Sequence, residues 1–231
     1  MNFQPLKITA TLQTPVITDG YLPLDSILYH TFIRDHFGAQ HKSKARESDV
    51  AEWSGNVLPF ERYNLESKHQ WFYACSFAQW PDNAKPEKHQ YAKRFRTGLA
   101  TKYVDFGKKQ GKVDTSRGEN KNYFNTEYTV SSPYVSWYCV GDKRQIELLL
   151  PFLTHVGKKS SQGCGSVLDW QVETFHSDWS IENNSGRLMR AVPSDDGDVL
   201  YGIRPSYWLP RHQFRCHMPK VSIFAGEYEM V

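Results

Sequence analysis

From Phe3 to Thr18 polar and apolar residues alternate, with Leu6, Ile8, Ala10 and Leu12 on one side of an extended chain. A period of two predicts a half-buried strand, and Asp19-Gly20 ends it as a turn. At Leu24 the period lengthens. Leu24, Ile27, Leu28, Phe32 and Ile33 recur at helical spacing, predicting a helix to about Phe37, where Gly38 stops it. Residues 39–67 are polar and mixed, with Pro59-Phe60 among them, and read as an irregular connection. His69 to Trp80 carries Trp71, Phe72, Tyr73 and Phe77, the composition of a second strand.

The next stretch, about residues 82–122, contains Gly98, Gly107, Gly111 and Gly118 and is too long for a turn. It reads as a partly ordered insertion with a function of its own. Tyr123 to Val140 is β-rich but interrupted by Ser131-Ser132-Pro133, which predicts two short strands or a bulge. Asp142 is placed to cap a helix with apolar positions Ile146, Leu149, Leu150 and Leu153, ending near Val156 before Gly157. Ser166 to Phe175 alternates as a last strand.

The order strand, helix, strand, insertion, strand, helix, strand is a split βαβ. It predicts an α+β, ferredoxin-like (RRM-like) domain over residues 1–175, with four antiparallel strands and both helices on one face. Residues 176–231, with Pro193, Pro205, Pro210 and Pro219, are expected to form a small β-containing extension packed on it.

Charge changes this picture more than composition does. The net charge of +3 hides a stretch from Lys85 to Lys121 with eleven Lys or Arg and four acids, a local +7 that leaves −4 for the remainder. A concentrated basic segment faces a polyanion. Here Lys93-Arg94-Phe95-Arg96, with Tyr91 and Tyr103 nearby and Lys108-Lys109 further on, interleaves cations and rings as a single-stranded RNA surface does. The plainer alternative is a solvated basic loop. No apolar run approaches the roughly 18–20 residues that span a bilayer, so no membrane is expected. The N-terminus lacks the pattern of a signal peptide. Cys75, Cys139, Cys164 and Cys216 lie far apart without a CxxC pair and read as reduced core thiols of a cytoplasmic protein.

The most informative segment lies between the second helix and the last strand: Gly157, Lys158, Lys159, Ser160, Ser161, Gln162, Gly163, Cys164 and Gly165. Its glycines permit positive φ and close approach, successive N–H groups can cradle a phosphate, and the two lysines, expected at the surface, add charge. A nucleotide P-loop is excluded, because Phe152 occupies the position of its first glycine and the loop runs from helix to strand. A glycine-rich helix cap with a turn would use the same residues.

This loop, read with the ferredoxin-like order, resembles the RAMP superfamily of CRISPR RNA-binding proteins. The approach to the first helix, Ile17-Thr18-Asp19-Gly20-Tyr21-Leu22-Pro23-Leu24-Asp25-Ser26-Ile27-Leu28, is similar to one branch of it, the "Cas-five"-type subunit of type IV CRISPR effector complexes. The resemblance covers about residues 3–175. Cys164 and Ser166 depart from it, standing where a bulkier apolar residue and an Arg are common. What it implies is a noncatalytic subunit that binds the 5′ handle of crRNA. Such a subunit caps a backbone of Cas-seven-type subunits beside a large or Cas-eight-like subunit, with the insertion as a thumb. The position of such subunits also extends the expected contacts to target DNA near its flanking motif.

The superfamily also contains endoribonucleases that process precursor crRNA, so catalysis has to be weighed. Metal-free cleavage needs a general acid and base, and among nine histidines His30 on the first helix is the most placeable. A helix-surface or packed histidine is the favoured reading. His212, Cys216 and His217 lack an evident fourth ligand, Asp195-Asp196-Gly197-Asp198 has the composition of a turn, and no metal or cofactor is expected. Trp71, Phe72 and Trp170 read as core. A ferredoxin-like scaffold that binds only protein remains a third expectation.

Overall fold

The computed structural model describes residues 2–40, 57–65, 70–103, 114–118, 120–220 and 223. In chain order its elements are β1 (Phe3–Leu12), β2 (Val16–Ile17), α1 (Leu24–Phe37), β3 (Arg62–Asn64), β4 (Trp71–Tyr73), β5 (Lys85–Lys93), α2 (Thr97–Tyr103), β6 (Tyr123–Ser131), β7 (Tyr134–Asp142), α3 (Lys143–Leu149), β8 (Val167–Thr174), β9 (Val192–Pro193), β10 (Val199–Gly202) and β11 (Gln213–His217).

β1 is the centre of a sheet, antiparallel to β7 on one side and to β8 on the other. Its register sets Leu6, Ile8 and Ala10 opposite Cys139, Trp137 and Val135, while Val172 and Trp170 flank Ile8 and Ala10 from β8. One face of the sheet is therefore apolar. Leu24, Leu28 and Ile33 of α1 and Ile146 of α3 share its core, where Trp137 is fully enclosed. The opposite face carries Lys7, Thr9 and Tyr138, and Thr9 and Ser136 share a hydrogen bond of 3.0 Å there.

On the free edge of β7 lies the segment 74–79. It pairs through bridges at Cys75–Cys139 and Gln79–Ser136, with Ser76 N donating to Tyr138 O at 2.7 Å. The strand expected over His69–Trp80 is thus broken in two, and His69 lies outside the described residues. Trp71–Tyr73 pairs with β3, then a tight turn (Cys75 N to Tyr73 O, 2.8 Å) hands the chain to β7. β3 itself falls inside the stretch that was expected to be irregular.

Two other expectations are corrected by proline. The first strand leaves the sheet at Leu12 rather than Thr18, because Pro15 cannot donate to a ladder. Beyond it β2 pairs with β6 instead. The second helix ends at Leu149 rather than near Val156, since Pro151 forces a 3-10 turn over Leu150–Phe152. Residues 154–156 are then extended and bridge to Ser166. Asp142 caps α3 as expected, accepting from Gln145 N at 3.2 Å. α1 runs from Leu24 to Phe37, and Gly38 closes it at φ 51.

The insertion forms an arm. β5 and β6 pair antiparallel over nine residues each, from Lys85–Ser131 to Lys93–Tyr123, a ribbon of about 30 Å. Its returning strand therefore lies in the β-rich stretch after residue 122, beyond the run of charge. The C-terminal extension forms a three-stranded sheet in the order β10-β11-β9. Ala191, Ile203 and Cys216 of that extension pack with Phe72 and Phe77 in a second core. All four cysteines are free thiols: Cys75, Cys139 and Cys216 are buried and Cys164 is half-buried.

A charged pair ties the extension to the domain. Arg190 and Asp25 are both fully buried, 3.9 Å apart. Arg190 donates to the carbonyls of Tyr73, Cys75 and Ile203 and lies 4.6 Å over the Phe72 ring. Asp25 accepts from Tyr207 at 2.5 Å and from Ser26 N at 2.9 Å. Burial pushes the Asp25 carboxyl above its usual range, and Arg190 and Tyr207 oppose the shift. Removing one partner of such a pair costs about 3–5 kcal/mol. Arg190→Met should lower the free energy of unfolding by that order in a urea titration, and adding Asp25→Asn should restore part of the loss.

A second prediction concerns acid. His212 is buried, with Nδ1 bonded to Ser206 O at 3.1 Å. Burial first, and then Arg204, push its pKa down to about 4. The unfolded chain, titrating near 6.5, binds a proton that the folded chain refuses, so stability is complete above that pH and falls between about 6.5 and 4. Its contribution to that fall is on the order of 3 kcal/mol. Urea midpoints at pH 7 and pH 5 should differ more for the natural chain than for His212→Gln.

Candidate nucleic-acid interface

The arm exposes cations and rings on both faces because a strand alternates its side chains. One face carries His89, Tyr91 and Lys93 opposite Glu127, Asn125 and Tyr123. There the Lys93 ammonium lies 5.8 Å over the Tyr123 ring, and Tyr91 meets Tyr123 edge-on at 6.2 Å. The other face carries Lys88 opposite Tyr128 and Ala92 opposite Phe124, which is 64% exposed. Arg94 and Arg96 follow at the tip, both exposed, with Phe95 N held by Asn122 Oδ1 at 2.7 Å. Beyond them Tyr103 is 74% exposed at the end of α2. Arg117 is matched by Asp114 at 2.8 Å. Lys108 and Lys109 lie outside the described residues.

The glycine-rich loop meets this arm. It turns the chain from residues 154–157 back to β8, with Val156 N donating to Gly165 O and Val167 N to Thr154 O. Two of its glycines answer to the protein's own backbone. A Cβ on Gly165 (φ 68) would lie 1.8 Å from Val156 O, and one on Gly157 (φ 81) would lie 2.6 Å from Ile17 O. Gly163, at φ 82, faces open space, beside the exposed 3-10 turn Ser160–Gln162. Close approach to a ligand is therefore needed at neither Gly157 nor Gly165. That part of the loop's glycine content belongs to the fold.

Lys158 and Lys159, expected as equivalent surface cations, diverge. Lys159 adopts the left-handed conformation, φ 60, and turns its side chain onto the arm. Its ammonium pairs with Glu127 at 2.7 Å, lies 4.0 Å over the Tyr91 ring and donates to the Tyr91 hydroxyl, which also accepts from Asn125 at 3.1 Å. The hydrogen bonds to Glu127 and Tyr91 raise the Lys159 pKa, and the Lys159 and Asn125 donors lower that of Tyr91. Lys158 points the other way, largely exposed, 3.7 Å from Asp19.

On the Lys158 side, α1, β2 and residues 152–160 line a cleft of about 460 Å³, to which Tyr201 and Tyr207 of the extension also contribute. His30 lines it, as do His155, Arg34, Tyr21 and Ser160. Arg34 follows His30 by one helical turn, a spacing visible in the sequence, and His155 stands just before the loop. The tyrosines reach the cleft only through tertiary packing. The remaining expected candidates have local partners: His217 pairs with Asp196 at 3.0 Å and His212 with Ser206. Among the described residues no three His, Cys, Asp or Glu side chains converge as a metal site would require. Phe72 is core and Trp170 donates to Leu153 O, while the Trp71 ring is contacted by Arg62 and Arg204, each 4.5 Å from its centroid. No helix among the described residues is long and apolar enough to cross a membrane.

The divergence of the two lysines is measurable. Lys159→Ala should lower the melting temperature and speed amide exchange around residues 89–91 and 125–127. Lys158→Ala should leave both unchanged. Equal effects from the two variants would contradict the docking of Lys159 on the arm.

No curated protein matches the chain. Residues 4–219 match the family of the CRISPR type IV associated protein Csf3, from β1 through the arm, the loop and the cleft to the end of the C-terminal sheet. That span is most of the molecule, and the chain belongs to the Csf3 family of type IV CRISPR-associated proteins.

Proposed function

We propose that this protein is the subunit of its type IV CRISPR complex that holds the 5′ handle of crRNA. The observation that carries the proposal is the arm, a paired ribbon presenting Lys88, Lys93, Arg94 and Arg96 among the exposed rings of Tyr123, Phe124 and Tyr128. Cations along a ribbon neutralise phosphates, and exposed rings accept unpaired bases in any order. The strand order supports a ferredoxin-like core beneath it: β8, β1, β7 and then the 74–79 segment, with α1 and α3 sharing the apolar face. On this reading the Lys159 contact fixes the arm's angle, and the exposed turn at Ser160, Ser161, Gln162 and Gly163 borders the RNA path. The subunit works in the cytoplasm, caps the Cas-seven-type backbone beside a large subunit, and stands within reach of target DNA.

Processing of precursor crRNA is the second reading, and one observation favours it: His30 and His155 line the same cleft, an acid–base pair in type. The noncatalytic reading expects RNA to be bound and returned whole.

Binding of repeat-derived RNA should weaken by about 0.7 log units per log unit of salt for each phosphate neutralised. Reversing Lys93, Arg94 and Arg96 to Glu should weaken binding and flatten that slope, and the RNA recovered from each metal-free titration should be intact. An unchanged slope would remove the arm from the interface. Cleavage at one position, lost in His30→Ala, would establish the processing reading instead.

A further inference from the structure

We propose that the cleft beside α1 seats a single RNA nucleotide turned out of the strand, its base among the tyrosines and its phosphate among the cations. This rests on the RNA-binding reading but concerns a site separate from the arm. The cleft's roughly 460 Å³ suits one small ligand and is far too small for a duplex.

Its lining is divided. Tyr207 stands at the start of α1, where its hydroxyl is fixed on Asp25. Tyr201 packs edge-on against Tyr207 at 6.0 Å and against Tyr21 at 6.3 Å, so the three rings form one wall. Arg34 lies nine residues after Asp25, about 13 Å along the helix axis. Between them His30 projects from the same helix, and His155 and Lys158 come from the far side.

The charge is uneven too. Arg34 donates to the Phe152 carbonyl, a neutral acceptor, so no acid among the described residues cancels it. Among the described residues Asp19 is the one carboxylate on the lining; it stands 3.7 Å from Lys158, both well exposed, and such a pair is weak. It also accepts from Tyr21 N at 3.1 Å, which places it beside the aromatic wall. A wall of rings, the Arg34 and Lys158 cations and a lone acceptor near the rings match a nucleotide's base, phosphate and amino groups.

The test scans single abasic positions through the repeat-derived RNA and measures affinity for the natural chain, for Tyr201→Leu and for Arg34→Gln. In the natural chain one position should lose about tenfold or more when its base is removed, the scale of a base–aromatic stack. In Tyr201→Leu that position should lose no more than its neighbours. Arg34→Gln, on the exposed side of the helix, keeps the packing and should lower the salt slope by about 0.7. Should Tyr201→Leu fail to fold, the Arg34 slope and the natural chain's scan still decide. A flat scan alongside intact, arm-dependent binding would overturn the cleft proposal alone. RNA that does not bind at all would overturn the RNA-binding reading beneath it. Tight binding of a nucleoside 5′-monophosphate that the RNA does not displace would assign the cleft to a free nucleotide.

Discussion

The Arg190 guanidinium sets the shape of the molecule. A guanidinium has five donors in a fixed plane and no acceptor, so it can be buried only where several acceptors converge. They converge here because the strand through residues 71–79 breaks at Tyr73 and changes partners, leaving the Tyr73 and Cys75 carbonyls turned toward the extension. Arg190 collects both, adds the carbonyl of Ile203 and covers Phe72. Its charge is answered by Asp25, at the second position of α1. One side chain thereby joins the broken strand, the first helix and the C-terminal sheet. The consequence reaches the surface: Asp25 also holds the Tyr207 hydroxyl, and Tyr207 and Tyr201 line the cleft. The wall of the cleft is thus positioned from the interior.

Regular features of the fold were legible in the sequence because they rest on local physics. The face of Leu6, Ile8 and Ala10, the helix from Leu24 to Phe37 and the Asp142 cap all follow from period and capping chemistry, which act within a few residues. The misplaced ends have a local cause that periodicity ignores. Pro15 and Pro151 each remove a donor inside an apolar pattern that would otherwise continue. The broken second strand was not legible for a different reason. Its break is stabilised by Arg190, more than a hundred residues away, and nothing near Tyr73 announces it.

The candidate site divides in the same manner. A run of cations marks the arm without any knowledge of tertiary structure, since charge is additive along a chain. Which strand completes the ribbon was hidden, because the charge ends at Lys121 while the pairing continues to Ser131. The glycine-rich loop misleads for an instructive reason. Positive φ and close approach are demanded equally by a ligand and by the protein's own backbone, and at Gly157 and Gly165 the backbone makes the demand. Adjacent lysines look alike in sequence, yet the left-handed conformation of Lys159, just before the 3-10 turn Ser160–Gln162, sends them to opposite sides.

That divergence connects the arm to the cleft. Lys159 holds the ribbon through Glu127 and Tyr91 from one side of the loop, while Lys158 lines the cleft on the other, so the two regions meet at neighbouring residues of one loop. A polyanion lying along the arm would compete with Glu127 for Lys159, and that pair, being only partly exposed, is less screened by salt than a surface pair. Arg94 and Arg96 of the arm therefore interact with phosphates more cheaply than the loop lysine does, because they break no internal carboxylate pair among the described residues when they bind. On the RNA-binding reading, the strongly salt-dependent part of affinity then belongs to the arm. Discrimination among bases belongs to the cleft, where the rings are fixed by a buried pair that salt does not reach.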